Sequence, residues 1–373
     1  MAEVLELLTE LIARESVTPN DAGCQDLIAE RLGRAGFRVE RMRFGHVDNL
    51  WAVHGESGPI VCLAGHTDVV PAGPREAWSS DPFEATVRDG MVVGRGASDM
   101  KASVAAMVVA LERLSAQGHD AQIALLLTSD EEGPGVDGTR RVLDNLSERS
   151  VRIEAAIVGE PTCESVFGDT IKAGRRGSLH GRIPVRGIQG HTAYPHLADN
   201  AAHRLNDVLA SLLEIEWGDG EGEFPATSLQ VTHLSAGTGA GNVIPGSAEI
   251  RFNVRFGTDW TAERIQKRIQ SALDRRPVGD IEFDVSALPF LERPGRLLQA
   301  LGEAVESVTG TRPALSTGGG TSDARFFAAH RIPVAEFGPL NDTIHAANER
   351  IAISSLEPLA DIYQSALHAL SRI

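Results

Sequence analysis

Three short apolar runs that stop abruptly at acids or a histidine constrain this chain most. IVCLAG leads into His66-Thr67-Asp68, IALLLTS into Asp130-Glu131-Glu132, and AAIVG into Glu160-Pro161. Runs this short and this apolar match strands buried on both faces, as in a sheet covered by helices. FRVERMRF and NLWAVHG read as further strands, and helical periodicity covers residues 4–14, 24–35 and 103–116. The same style returns late, with a helix over 297–308, the strand IPVAEFG and a closing helix over 355–370. This order predicts an α/β domain, a sheet with helices on both faces.

The middle of the chain follows another pattern. It reads strand (SLHGRIPVRG), helix (201–213), strand (SLQVTHLSAG), strand (AEIRFNVRF), helix (261–275) and strand (IEFDVSAL). That βαββαβ order is ferredoxin-like and can close its own small sheet. A chain of 373 residues also exceeds what one ordinary core supports. The expected division is therefore a main domain of residues 1–176 and 290–373, with 177–289 inserted. The alternative is that these strands extend the main sheet.

Composition narrows the functions. Apolar residues at 42% exclude a mostly disordered chain, and no apolar run approaches the roughly 18 residues needed to cross a bilayer. The first residues, MAEVLELLTELIARESV, lack a basic n-region and read as an amphipathic helix, so a cytoplasmic location is expected. A formal charge of −16 argues against nucleic acid, whose phosphates demand a basic footprint, and fits an enzyme of small molecules. Cys24, Cys62 and Cys163 are too few and scattered for a disulfide framework and are expected as reduced thiols.

In open α/β sheets, ligands bind beyond the carboxyl ends of strands. Ser98-Asp99 precedes the third helix and His345 follows the last strand run. Five segments, bearing His66, Asp99, Glu132, Glu160 and His345, can thus converge on one crevice. Carboxylates crowded there would repel one another or hold protons. Two Zn²⁺ would set four positive charges against Asp99, Glu132 and Glu160, and a mixed His/carboxylate set suits zinc, cobalt or manganese. Taken singly, each residue has a plainer reading: a structural histidine, a solvated acidic loop at Glu131-Glu132, or a helix N-cap at Asp99.

GHTDVVPAG, GRGASDMK, TSDEE, GEPT and the late His345 resemble the five metal-site motifs of the di-zinc aminoacylase and carboxypeptidase family. The similarity continues through GRRGSL, GHTAYPHLADN, FPATSLQ, GTGAGNVIPG, GGTSDARF and GPLNDTIHAANE, and so spans nearly the whole chain. It implies a mixed-sheet, zinc-peptidase-like catalytic domain, an inserted dimerisation domain, and two Zn²⁺ per subunit with Co²⁺ or Mn²⁺ as substitutes. Asp99 would bridge both metals, His66 and Glu160 completing one site and Glu132 and His345 the other. Asp68 would steady the His66 imidazole, and Glu131 would be the general base of an amide hydrolysis.

In this family a histidine corresponding to His191 reaches the oxyanion from the partner subunit. The resemblance further implies that a small-molecule substrate carrying several carboxylates meets Arg175, Ser178, Tyr194, Asn242, Arg255, Gly320, Thr321 and Asn341. Guanidinium forks at Arg175 and Arg255 suit carboxylates, as does neighbouring Arg176. The chain departs from the usual pattern with three glycines at 318–320 and with Ala324. Deacylases of different acyl groups share the metal core, which does not separate them. A non-catalytic dimeric member would have lost a ligand or the base, and here all are present.

Overall fold

A strand with helices on both sides has no place for polar side chains, and Ile60–His66 is buried at every position. In the computed structural model, which describes residues 2–220 and 222–372, this strand lies inside an eight-stranded sheet. The order runs Arg38–Phe44, Val47–His54, Gln122–Thr128, Ile60–His66, Ile153–Val158, Val334–Glu336, Thr170–Lys172, Ala314–Ser316. Ile60–His66 pairs in parallel with both of its neighbours, while the pairs nearer one edge are antiparallel. The sheet is therefore mixed, as expected.

Alternation along the strands divides their side chains between two cores. Leu63, Leu125 and Ile157 join one cluster with helices Ala2–Ile12, Cys24–Arg34, Ala102–Gln117, Arg296–Thr309 and Ile353–Ser371. Helices Thr139–Glu148 and Ala324–Ala329 stand outside that cluster and pack on each other and on the opposite face. Thr139–Glu148 escaped the sequence reading because its apolar face is only Val142, Leu143 and Leu146. A second sheet was also missed: Thr86–Arg88, Met91–Val93 and Arg350–Ala352 pair antiparallel, each with only three residues.

The chain divides into two compact units. One comprises the described residues up to Ala173, Glu292–Ser316, and those from Ser322 onward; the other comprises Gly174–Leu291 and Thr317–Thr321. Residues 174–176, 290–291 and 317–321 thus group with the second unit, beyond the 177–289 span expected for the insertion. Its four-stranded sheet runs Ser228–Ala236, Ser247–Phe256, Gly177–Arg186, Glu282–Ala287, antiparallel throughout. Helices Ala201–Leu213 and Ala262–Leu273 share one core with it, through Val208, Leu212, Ile265 and Ile269 against Leu179, Ile183, Ile250 and Phe252. The strands of the second unit form a sheet of their own and do not extend the larger one. No helix among the described residues is long and apolar enough to cross a membrane.

Candidate metal centre

Register aligns the first three acid-bearing segments. His66 ends its strand opposite Thr128, and Ala64 stands opposite Val158, so continuing the ladder by two residues brings Glu160 level with His66. Ladder bonds persist past the strand ends, from Thr67 N to Thr128 O at 2.9 Å and from Gly159 N to Ala64 O at 3.0 Å. Glu131 and Glu132 sit in a turn over residues 131–134 and not on an extended segment. Asp68 holds that turn, its carboxylate accepting N–H bonds from Glu132 at 3.1 Å and Glu131 at 3.4 Å. Asp130 is no part of the cluster, because its carboxylate turns back to accept the amides of Val136 and Asp137.

Asp99 stands between two imidazoles. Its Oδ1 lies 3.2 Å from His66 Nε2, and its Oδ2 lies 3.3 Å from His345 Nε2. Glu132 Oε1 completes one side, 3.0 Å from His345 Nε2, and Glu160 Oε1 the other, 3.8 Å from His66 Nε2. Asp99 is not the cap of the following helix, which has no side-chain cap bond. His66 Nδ1 lies 2.9 Å from the backbone carbonyl of Asp68 and 3.6 Å from its carboxylate. The imidazole is thus oriented by Asp68, chiefly through the main chain, with Nε2 turned to the cluster.

The electrostatics report crowding. Burial alone would lower the His66 imidazole, but its hydrogen bond to Asp99 and the charges of Glu160, Glu131 and Asp68 hold it well above its usual range. Hydrogen bonds to Asp99 and Glu132 raise His345 to about 10. Burial pushes Glu131 well above the glutamate range, with Asp323 and Glu132 adding to it against the opposing charge of His66. Glu160 is raised likewise, by burial and then by Glu131 and Asp99. Burial raises Asp68 to about 6. Asp99 alone moves the other way, because bonds from His345 and His66 outweigh its burial.

Such a set calls for cations. Donor atoms of His66, Asp99 and Glu160 lie within 4.8 Å of one another, as do those of Asp99, Glu132 and His345, and those of His66, Glu131 and Glu132. Glu160 Oε1 is buried without a hydrogen-bond partner, a costly state for a carboxylate oxygen that a metal ion relieves. Two three-donor groups sharing one carboxylate, all nitrogen and oxygen, fit a pair of divalent ions of the zinc, cobalt or manganese kind. Glu349 carries no sequence signal of its own beyond an acid four residues after His345. Its buried carboxylate nevertheless accepts the Asp99 amide at 2.9 Å.

The remaining candidates, Asn341 apart, fall in the second unit. Arg175 is buried and donates to Gly318 O at 2.9 Å, and Arg255 donates to Thr321 Oγ1 at 3.2 Å. Ser178 faces Arg255 in the strand register and its hydroxyl accepts from Asn253. Gly320 lies in the same 317–321 segment. Burial, with Arg176 nearby, lowers Arg255 from its ordinary value. His191 lies on the exposed two-residue strand Gly190–His191, paired with Val243–Ile244; Tyr194 is exposed beside it and Asn242 O accepts from Thr192 N. Asn341 belongs to the first unit, its amide donating to Cys163 O at 3.0 Å.

Residues 62–369 match Peptidase family M20/M25/M40. The chain is 52% identical over 373 residues to a succinyl-diaminopimelate desuccinylase of Alkalilimnicola ehrlichii, covering 99% of this chain and 100% of that one. It is 54% identical over 370 residues to a Bordetella petrii protein of the same name, covering 98% and 97%. A solved M20 family metallo-carboxypeptidase from Sulfolobus solfataricus superposes with a TM-score of 0.85 over 100% of both chains at 17% identity, a likeness of fold. The motifs, the mixed sheet and the full-length likeness lead to one assignment: the chain belongs to peptidase family M20/M25/M40.

Proposed function

We propose that this chain is a metal-dependent amide hydrolase that cleaves N-succinyl-L,L-2,6-diaminopimelate to succinate and L,L-diaminopimelate, in the cytoplasmic biosynthesis of diaminopimelate and lysine. The observation that carries the chemistry is Asp99 set between His66 and His345, with a further carboxylate on each side. Full-length likeness to proteins named succinyl-diaminopimelate desuccinylase supports the substrate.

In this reading two zinc ions per subunit, replaceable by cobalt or manganese, are held by His66, Asp99 and Glu160 and by Asp99, Glu132 and His345. Bound zinc supplies Lewis acidity for the amide carbonyl and acidifies water. Glu131 takes the proton of the attacking water and returns it to the leaving amine. A glutamate raised by burial suits both transfers near neutral pH. Asp68 serves twice, fixing His66 through its carbonyl and the Glu131–Glu132 turn through its carboxylate. Arg175 and Arg255 grip substrate carboxylates, with Ser178, Tyr194, Asn242, Gly320, Thr321 and Asn341 completing the contacts. An amine-release assay with ninhydrin tests this. Losing one charge-assisted pair costs about 1.5–3 kcal/mol, so kcat/KM is expected roughly 10–100-fold higher for the succinyl than for the acetyl substrate. Equal rates, or faster release from N-acetylornithine, would reassign the enzyme to a sister deacylase.

The active form is a homodimer built on the second unit, in which the partner subunit's His191 meets the oxyanion. The exposure of His191, Tyr194 and Leu197 supports a role met only in the assembly. A variant made monomeric by charges on that unit should keep its zinc and lose activity. A monomer as active as the dimer refutes the cross-subunit role.

A further inference from the structure

We propose that Glu349 is a positioning residue for the metal set of Asp99, Glu132 and His345, locking the Asp99 loop and the His345 segment into one piece. The inference rests on the metal reading above.

The two segments are far apart in sequence and are joined by pairing. Met91–Val93 runs into the loop that ends at Asp99, and Arg350–Ala352 follows directly from the His345 segment. The two strands pair antiparallel, Arg350 opposite Val93. The ladder continues one step further, with Gly94 N donating to Glu349 O at 2.9 Å. At that point Glu349 turns its side chain into the Asp99 loop. One carboxylate oxygen, Oε1, accepts the amides of Ser98 at 2.8 Å and Asp99 at 2.9 Å. The other, Oε2, accepts Gly96 N at 2.9 Å and the Arg95 guanidinium at 2.7 Å. Three amides of this irregular loop and the Arg95 guanidinium are thereby satisfied by one buried carboxylate, which no neutral side chain of that length can do.

Arg95 closes the arrangement. It is fully buried, stacks over Trp78 at 5.2 Å, and points Nη2 toward the carbonyls of His345 and Pro71, each at 3.5 Å. Ser98 Oγ adds a bond to Leu340 O at 2.6 Å. His345 itself has a left-handed backbone, φ 59°, and a half-exposed side chain, so its own surroundings hold it weakly. His66 and Glu160, by contrast, extend from a parallel ladder. Slack in Glu349 therefore falls on the His345 side of the centre.

The test uses chelator-stripped full-length protein, titrated with zinc against a chromophoric competitor, in wild type, Glu349→Asp and Glu349→Gln. The aspartate keeps the charge opposite Arg95 but withdraws the carboxylate by one methylene, avoiding the uncompensated buried guanidinium that the glutamine leaves. Loss of an outer hydrogen-bond partner lowers metal affinity about 10–100-fold. Glu349→Asp is thus expected to bind one zinc as the wild type does and the second about 10–100-fold more weakly, with thermal unfolding of the metal-free protein little changed. Both affinities falling together, neither changing, or neither variant folding overturns the proposal. Wild type binding no zinc overturns the metal reading and this inference together. Two wild-type zincs with an unaltered Glu349→Asp overturn this inference alone.

Discussion

Glu131→Gln is expected to lower kcat about 10²–10⁴-fold or more, the range of a positioned general base, with two zinc ions still bound. The substitution is nearly isosteric and removes one acid from a buried group that already holds Glu160, Glu132 and Asp99. Less mutual repulsion remains after it, so the fold should survive with an unfolding temperature no lower than that of the wild type. The turn should survive too, because Asp68 binds the main chain at 131 and 132 and not the side chain. Turnover of N-succinyl-diaminopimelate, measured beside zinc content, separates the outcomes. A near-normal rate with two bound zincs ends the assignment of Glu131 as base. Lost zinc would instead mark Glu131 as a ligand, as its place beside His66 and Glu132 allows.

Stripping the metals should abolish activity altogether, and returning zinc at pH 7 should restore it with release of protons. Metal takes neutral imidazole and ionised carboxylate. In the metal-free protein, His345 is raised to about 10 and so carries a proton at pH 7, and His66, raised by Asp99 and its acidic neighbours, holds its proton more tightly than a free imidazole. Glu160, raised by burial, holds its proton more tightly than a free glutamate. Zinc affinity should therefore climb as pH rises toward 10. The imidazolium–carboxylate pairing of His345 has the opposite consequence for the metal-free fold. Its folded-state pKa is raised, so the stability it contributes is fully present below about 6.5 and lost as pH rises through about 10. Calorimetry of zinc binding in buffers of different ionisation enthalpy counts the protons. Binding without proton release at pH 7 would contradict the site described.

Much of the candidate site was legible because several of its residues lie just beyond short, almost wholly apolar strands. IVCLAG, IALLLTS and AAIVG announce buried strands as nearly unbroken apolar runs, and His66 and Glu160 are the first polar residues beyond two of them. Short elements escaped for the converse reason. A three-residue strand such as Arg350–Ala352 has no period to read, and the sparse apolar face of Thr139–Glu148 resembles a loop.

The sequence by itself determined the α/β class and the βαββαβ order of the middle segment, and it named His66, Asp99, Glu131, Glu132, Glu160 and His345 as candidates. Burial patterns and residue chemistry are local and survive in one dimension. Only the tertiary structure decided that Glu131 and Glu132 share a turn held by Asp68, that Asp68 orients His66 through its backbone carbonyl, and that Glu349 ties the Asp99 loop to the His345 segment. Those are bonds of main-chain donors and acceptors. Every residue type carries such groups, so no pattern of side chains reveals which pair will meet across some 250 positions of chain.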